Sequence, residues 1–244
     1  MKPRVLVATF AYNEGVKILW TVERVLEAIG QAAEPVTFDV VVANDGSTDG
    51  SMKPFQTLPV HVLSMPKQGG IGASMKATFR YALEHGYDII VIMAGNNKDE
   101  PREIPRLLAP ILNNSYDLVQ GSRFLPGGGY GNTPLYRIFA TRLHAFLFSV
   151  TLRKRITESS NGFRAFRLTL LQDPRIKWQQ DWLNKYDLEI YLLYKVIALG
   201  YRHAEVPVTK IYPAKALGYT KMAPITGWWS MLRPIVYLTL GLKD

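Results

Sequence analysis

The stretch 40-VVVANDGSTDGS-51 decides the fold, because a run of β-branched residues discharges directly into an acidic, glycine-containing turn. Val40, Val41 and Val42 read as a buried parallel strand, and Asn44 to Asp49 as the loop at its C-terminal end. In an open α/β sheet, ligands bind in the crevice outside the carboxyl ends of the strands, which puts Asp45 at a ligand's edge. Taken alone, the same residues read more readily as a turn with an Asx cap that starts the next helix.

A second segment of the same kind lies upstream. In 4-RVLVATFAYNEG-15 the apolar residues Val5, Leu6 and Val7 again lead into a polar loop, this one carrying Asn13 and Glu14. Beyond it, Ile18, Leu19, Val22, Leu26 and Ile29 fall at helical spacing on one face, so strand, loop and helix form the first half of a βαβ unit. Two strands therefore deliver carboxylates to one crevice.

The pairing of "AYNEG" with "NDGSTDG" resembles the family 2 glycosyltransferases, inverting enzymes with a GT-A fold that binds nucleotide sugars. The segments 67-KQGGIGASMKATFRYA-82, 88-DIIVIMAGNNKDEP-101, 117-DLVQGSRF-124, 158-ESSNGFRAF-166, 205-EVPVTKIYP-213 and 215-KALGYTK-221 follow in the order found in polyprenyl- and dolichol-phosphate hexose synthases. Each match is short, but together they span most of the chain. The resemblance implies a GT-A-like α/β domain, Rossmann-like, with a mixed, mostly parallel sheet flanked by helices, over residues 1–224. An amphipathic, membrane-associating segment is expected over 225–244.

The resemblance also distributes roles. Tyr12 and Glu14 match the turn that contacts base and ribose, Asp45 the carboxylate that takes a hydrogen bond from the base, and Asn44 a position that is Asp in many relatives. Arg123 and Arg137 match residues that grip an acceptor phosphate. Glu158, Asn161 and Arg164 belong to a segment near the acceptor. Lys215 and Lys221 sit where relatives close a loop over the donor phosphates, although Lys at 215 replaces Arg and loses its bidentate geometry. Asp187 and Glu189 read as a solvated helix face.

The largest departure is at the metal motif. Relatives carry Asp-Ala-Asp where this chain has Ala94-Gly95-Asn96. A hard cation such as Mg or Mn prefers anionic oxygen, so the expected metal ligands are the amide of Asn96 and the carboxylate of Asp99, aided by the donor diphosphate. Metal-independent transfer through Lys98 or the Lys215/Lys221 loop, and a degenerate site, stay open beside weak or altered metal use, which leads.

Composition fits this class. At 244 residues with 48% hydrophobic content, the chain can bury the core of one large domain. It contains no cysteine, which removes disulfides and thiolate metal sites and suits a reducing compartment. No secretory leader precedes the first strand, so the expected location is cytoplasmic. A net charge of +9 favours anionic partners, yet the basic residues are scattered and no nucleic-acid signature accompanies them. Nucleotide diphosphates and an anionic membrane face account for the charge.

Two segments support the membrane. 225-ITGWWSMLRPIVYLTLGL-242 is almost wholly apolar, but Arg233 and Pro234 interrupt it mid-span and argue against an independent transmembrane helix, while Trp228, Trp229 and Tyr237 suit the headgroup level. In 134-PLYRIFATRLHAFLFSVTL-152, Arg137 and Arg142 alternate with a broad Leu/Phe face. Buried helices or a dimer contact would show the same pattern.

The leading expectation is an inverting transfer of a hexosyl group from a UDP- or GDP-sugar to a polyprenyl-phosphate lipid, by a protein held peripherally at the cytoplasmic face of a membrane. The alternatives are a glycosyltransferase acting on a glycan, lipid or small-molecule acceptor, which would need a carboxylate base, and a non-catalytic nucleotide-binding membrane scaffold.

Overall fold

The computed structural model describes residues 2–214 and 226–244; Lys215 and Lys221 lie outside them. β1 (Arg4–Ala11), β2 (Thr37–Asn44), β3 (His61–Ser64) and β4 (Ile89–Ala94) are parallel and joined by α1 (Val16–Gly30) and α2 (Ile71–Glu84). α3 (Ile104–Leu112) leads to β5 (Leu118–Ser122); β7 (Arg164–Arg167) and β8 (His203–Pro207) complete a seven-stranded sheet of order β3-β2-β1-β4-β7-β5-β8. β7 runs antiparallel to both neighbours, β4 and β5. The expected mixed, mostly parallel sheet is what forms.

Alternation along the strands explains why the sheet is covered on both sides. Leu6, Ala8 and Phe10 pack with Met75 and Phe79 of α2, whereas Val5 and Val7 pack with Val25 of α1 and with Leu107, Leu108 and Ile111 of α3. Because side chains alternate with a period of two, a strand that is apolar at every position must be sandwiched. Each of these fully buried aliphatic side chains contributes roughly 1.5–3 kcal/mol relative to exposure.

Register fixes the cleft. Ala11 pairs with Asn44 and Phe10 with Ala94, so the loops that follow β1, β2 and β4 leave the sheet at one edge. The chain moves outward from β1 to β2 and β3, then returns to place β4 on β1's other side, which makes the β1/β4 boundary the topological switch point where ligands bind. Gly95 lies at that boundary: its N–H bonds the Phe10 carbonyl at 3.0 Å, and a Cβ there would come within 2.6 Å of both that oxygen and Ile18.

The remaining elements close the cleft from the other side. β6 (Gly129–Gly131) pairs in parallel with β9 (Thr209–Ile211) as a separate ribbon. α4 (Leu135–Leu152), α5 (Asp187–Ala198) and α6 (Thr226–Thr239) pack on one another. α6 is integrated into the domain: Pro234 and Ile235 are buried, Ile235 joins the main core, and Arg233 bonds Asp187 on α5 (Nη2 to Oδ2, 2.7 Å). The arginine that interrupts 225–242 therefore answers a buried carboxylate, and residues 226–244 do not stand apart as a segment of their own. Asp187 is fully buried and Glu189 lines the cleft, so the solvated helix face expected of them is not what forms. Among the described residues no helix is long and apolar enough to cross a membrane.

Candidate active site

A cleft of about 780 Å³ opens along the switch point. Tyr12, Glu14, Asp45 and Asp49 line its β1–β2 end, from the loops that follow those strands; Asn96, Lys98, Arg123, Arg137, Glu189, Lys210 and Tyr212 come from β4 onward, with Glu14 near enough to act on the Lys98 charge. Trp228 also lines the cleft and is less exposed than Trp229.

At the first end, the two sequence-adjacent loops are stitched together. Asn13 takes a left-handed φ of 49°, its amide oxygen accepts from Thr48 N (2.8 Å), and its own N–H donates to Ser47 Oγ (3.0 Å). Asp49 Oδ2 accepts from Gly15 N at 3.0 Å. Burial opposes the Asp49 charge, but the Ser51 hydroxyl, the Ser51 N–H and the Gly15 N–H outweigh it and hold the carboxyl below its ordinary value. The sequence marks Asn13, Ser47 and Asp49 only as loop residues; their pairing across the two loops follows from the β1–β2 register.

Asp45 lines the cleft as expected, but its carboxylate also anchors the loop before α2. Oδ1 accepts from Gly69 N (2.8 Å) and Oδ2 from Gly70 N (2.9 Å). Asn44 is a correction: it does not line the cleft. Its side chain is consumed below it, with Oδ1 accepting from Ser47 N (2.8 Å) and Nδ2 donating to Ser64 Oγ (3.2 Å).

At the second end, Arg123 lies 5% exposed, with its Nε (2.7 Å) and Nη2 on Glu158 Oε1 while its backbone N–H bonds Oε2 (2.8 Å). Burial opposes its charge; the Glu158 carboxylate prevails and holds the guanidinium above its ordinary value. Glu158, Asn161 and Arg164, expected at the acceptor, are corrected likewise. All three are buried and none lines the cleft, because β7 is an interior strand and the segment feeding it turns inward. Asn161 bonds Gly121 O through Nδ2 (3.0 Å) and Lys210 Nζ through Oδ1 (3.0 Å); Arg164 donates to Glu189 O and Asn161 O, both at 2.7 Å. These residues hold the wall that others present.

Arg137 does reach the cleft. From the first turns of α4, its Nη1 donates to the Tyr212 hydroxyl at 3.2 Å, while Lys98 Nζ rides over the Tyr212 ring, 4.1 Å from its centre. Burial, with Lys210 and Arg137 close by, brings the Lys98 ammonium down to about 7. Glu189 contributes a carboxylate to the same end, pushed upward by burial against the pull of Arg164 and Lys210. Neither Lys210 nor Glu189 was legible as a site residue, because each comes from an element far along the chain.

The expected metal ligands, Asn96 and Asp99, are set apart by the fold, although Asp99 Oδ2 is, like Asn96 Oδ1, buried without a hydrogen-bond partner among the described residues. Asn96 lines the cleft, and its buried Oδ1 has no hydrogen-bond partner among the described residues. Asp99 does not line that cleft: an antiparallel bridge to Lys210 turns it inward, and Lys210 Nζ sits 2.5 Å from its Oδ1. Among the described residues no group of three or more His, Cys, Asp or Glu side chains is clustered to hold a metal. A divalent ion there would meet the Lys210 ammonium, whose charge the Asp99 carboxylate partly offsets, and on the cleft side Asn96 adds only a neutral oxygen.

The Glycosyl transferase family 2 model matches residues 6–173. The chain belongs to that family. It is a glycosyltransferase. It is 31% identical over 225 residues to undecaprenyl-phosphate mannosyltransferase of Micrococcus luteus, covering 90% of this chain and 88% of that protein. It is 30% identical over 226 residues to polyprenol monophosphomannose synthase of Mycolicibacterium smegmatis, covering 90% and 81%. In fold it is similar to glucosyl-3-phosphoglycerate synthase of Mycobacterium tuberculosis in complex with Mn2+, uridine diphosphate and phosphoglyceric acid, with a TM-score of 0.67, 20% identity and coverage of 99% and 80%. The GT-A-like fold expected of this glycosyltransferase is thereby established.

Proposed function

We propose that this glycosyltransferase moves a hexosyl group, by inversion, from a UDP- or GDP-sugar to a polyprenyl phosphate at a membrane surface. The observation that carries the reading is the lining of the cleft: carboxylates on the loops that follow β1 and β2, and Lys98, Arg123, Arg137 and Lys210 gathered near Tyr212 from elements later in the chain. The named activities of the Micrococcus and Mycolicibacterium relatives support the lipid acceptor and make mannose the first sugar to test.

In this reaction an oxygen of the acceptor phosphate attacks the anomeric carbon. The bond from that carbon to the diphosphate breaks, and its electron pair stays on the departing nucleoside diphosphate. An ionised phosphate needs no base, so the demand on the protein is to hold two anionic groups together, which fixed cations do. Arg137 and, where its Glu158 pairing allows, Arg123 face the acceptor. Tyr12, Glu14 and Asp45 face the nucleoside.

Membrane association is supported by α4. Leu135, Tyr136, Phe139, Leu143, Phe146, Leu147 and Val150 form an exposed stripe on it, with Phe139 at 70%, and the exposed Arg153, Lys154 and Arg155 follow its end. Trp229, Val236 and Leu240 add exposed apolar area from α6 and its end. Apolar stripes flanked by basic residues suit an anionic bilayer face, and α4 carries Arg137 on its cleft side. The same reading has the protein peripheral at the cytoplasmic face.

Glu189 favours one second reading, since a carboxylate in the cleft supplies the base that a hydroxyl acceptor would need. A panel of UDP- and GDP-sugars against polyprenyl phosphate, polyprenol and oligosaccharides separates the two. Product that forms with the lipid phosphate and not with hydroxyl acceptors is expected; transfer to hydroxyl acceptors alone would reject the lipid-phosphate reading.

A further inference from the structure

The family's acidic motif would stand at the end of β4, the strand beside the switch point, and the structure shows what replaces it. Ala94 offers no oxygen and Asn96 a neutral one. The carboxylate that remains nearby, Asp99, is held on the Lys210 ammonium, which also bonds Asn161 Oδ1 at 3.0 Å. An ammonium has three N–H donors, so these bonds position the charge at the cleft wall without exhausting it. Tyr212, two residues further along the same strand end, places Lys98 over its ring and Arg137 on its hydroxyl. The cations thus come from three places, the end of β4, the β9 ribbon and α4, and converge on the side of the cleft where Asn96 stands.

We propose that Lys210 and Lys98, fixed by Asp99, Asn161 and Tyr212, take the place of a divalent cation, so that this enzyme binds nucleoside diphosphate and expels it as leaving group without metal. The inference rests on the glycosyltransferase reading above and specifies how its leaving group is neutralised. When the anomeric carbon–oxygen bond breaks, the electron pair adds charge to the diphosphate, and that negative charge favours the protonated form of Lys98 beside Lys210. Because the two lysines are covalently part of the wall, they require no ion to be captured with the donor. Asp99 is then a positioning residue, acting through Lys210.

The test is calorimetric binding of UDP and GDP to the full chain, in EDTA and in excess Mg2+ or Mn2+, followed by sugar transfer under the same conditions. The preferred nucleotide should bind in EDTA within about threefold of its affinity in metal, and transfer should persist. Lys98→Met and Lys210→Met should each weaken binding in EDTA by about tenfold or more, as expected for loss of a charge-assisted contact. Lys210→Met leaves Asp99 buried without its partner, so Lys98→Met and the unsubstituted protein carry the test if that variant does not fold. As a converse, Ala94→Asp combined with Asn96→Asp in the Lys98→Met background should bring back a metal requirement. Binding that collapses in EDTA and returns with Mg2+ overturns this inference and leaves the transferase reading intact. If neither nucleotide binds under any condition, both are overturned.

Discussion

At the β1–β2 end of the cleft, carboxylates are held by backbone N–H groups: Asp45 by Gly69 and Gly70, Asp49 by Gly15 and Ser51. At the β4–β9 end, cations are held by buried carboxylates and amides from elements as distant as Asp99 and Lys210 or Arg123 and Glu158. The first end needs only the loops that follow β1, β2 and β3, neighbouring strand ends that the sheet register aligns. The second needs an antiparallel strand, a two-stranded ribbon and three helices to be in place before any charge is positioned. Substitutions at the two ends should therefore fail in different ways, with loss of ligand at the first and loss of wall at the second.

The largest effect is expected at the second end. Arg123→Ala leaves Glu158 fully buried without a cation, and breaking such a pair costs about 3–5 kcal/mol. Urea unfolding should show that loss. Arg123→Met combined with Glu158→Gln, which keeps an acceptor for the Arg123 N–H, should regain most of the stability but not transfer to lipid phosphate. Regained transfer would mean that Arg123 serves the wall alone.

Next is the outer face of α4, the helix that brings Arg137 into that end. Phe139→Ser with Phe146→Ser removes two exposed rings, so folding should be unchanged while binding to anionic vesicles falls by about tenfold or more. Trp229→Ser should act in the same direction. Trp228→Ser should instead disturb the cleft, because that ring lines it. Full vesicle binding by the double Phe variant would separate α4 from the membrane.

At the first end, Asp45→Ala should cost about 1–3 kcal/mol of stability by orphaning the N–H groups of Gly69 and Gly70, and should weaken UDP or GDP binding by a comparable amount. A stability loss with unchanged nucleotide affinity, measured by melting and calorimetry, would reduce Asp45 to a loop anchor and make the two ends alike in how they fail.

The smallest effect tests the electrostatics of Glu189. Burial raises its carboxyl in the folded protein above the 4.5 of an exposed Glu, so the folded state holds its proton more tightly. Its contribution to stability is complete below 4.5 and is lost as pH rises through the raised value. Glu189→Gln should therefore leave Tm unchanged near pH 4 and raise it at neutral pH, with a gain in stability of about 1 kcal/mol, the ordinary scale of one substitution. An equal shift at both pH values would show that charge is not the cause.

Sequence by itself determined the strands, their sidedness and the loops that end them. Val5–Val7 and Val40–Val42 are apolar at every position, and such strands must lie inside a sheet covered on both faces. It also determined that Ala94-Gly95-Asn96 cannot supply the carboxylates its relatives have, and that Asp45, Glu14, Arg123 and Arg137 belong to one cleft, because motif order fixes strand ends and strand ends fix the crevice. Tertiary structure alone decided which polar residues of a motif face the ligand and which face the protein. Asn44 and Asp45 are neighbours, as are Ser160 and Asn161, yet in each pair one lines the cleft and the other is spent beneath it. It also decided that Asp99 would take an ammonium, because Lys210 reaches it only across a bridge between segments more than a hundred residues apart. Periodicity records burial along one element, whereas the partner of a buried charge is set by which distant element packs against it, and no local pattern carries that information.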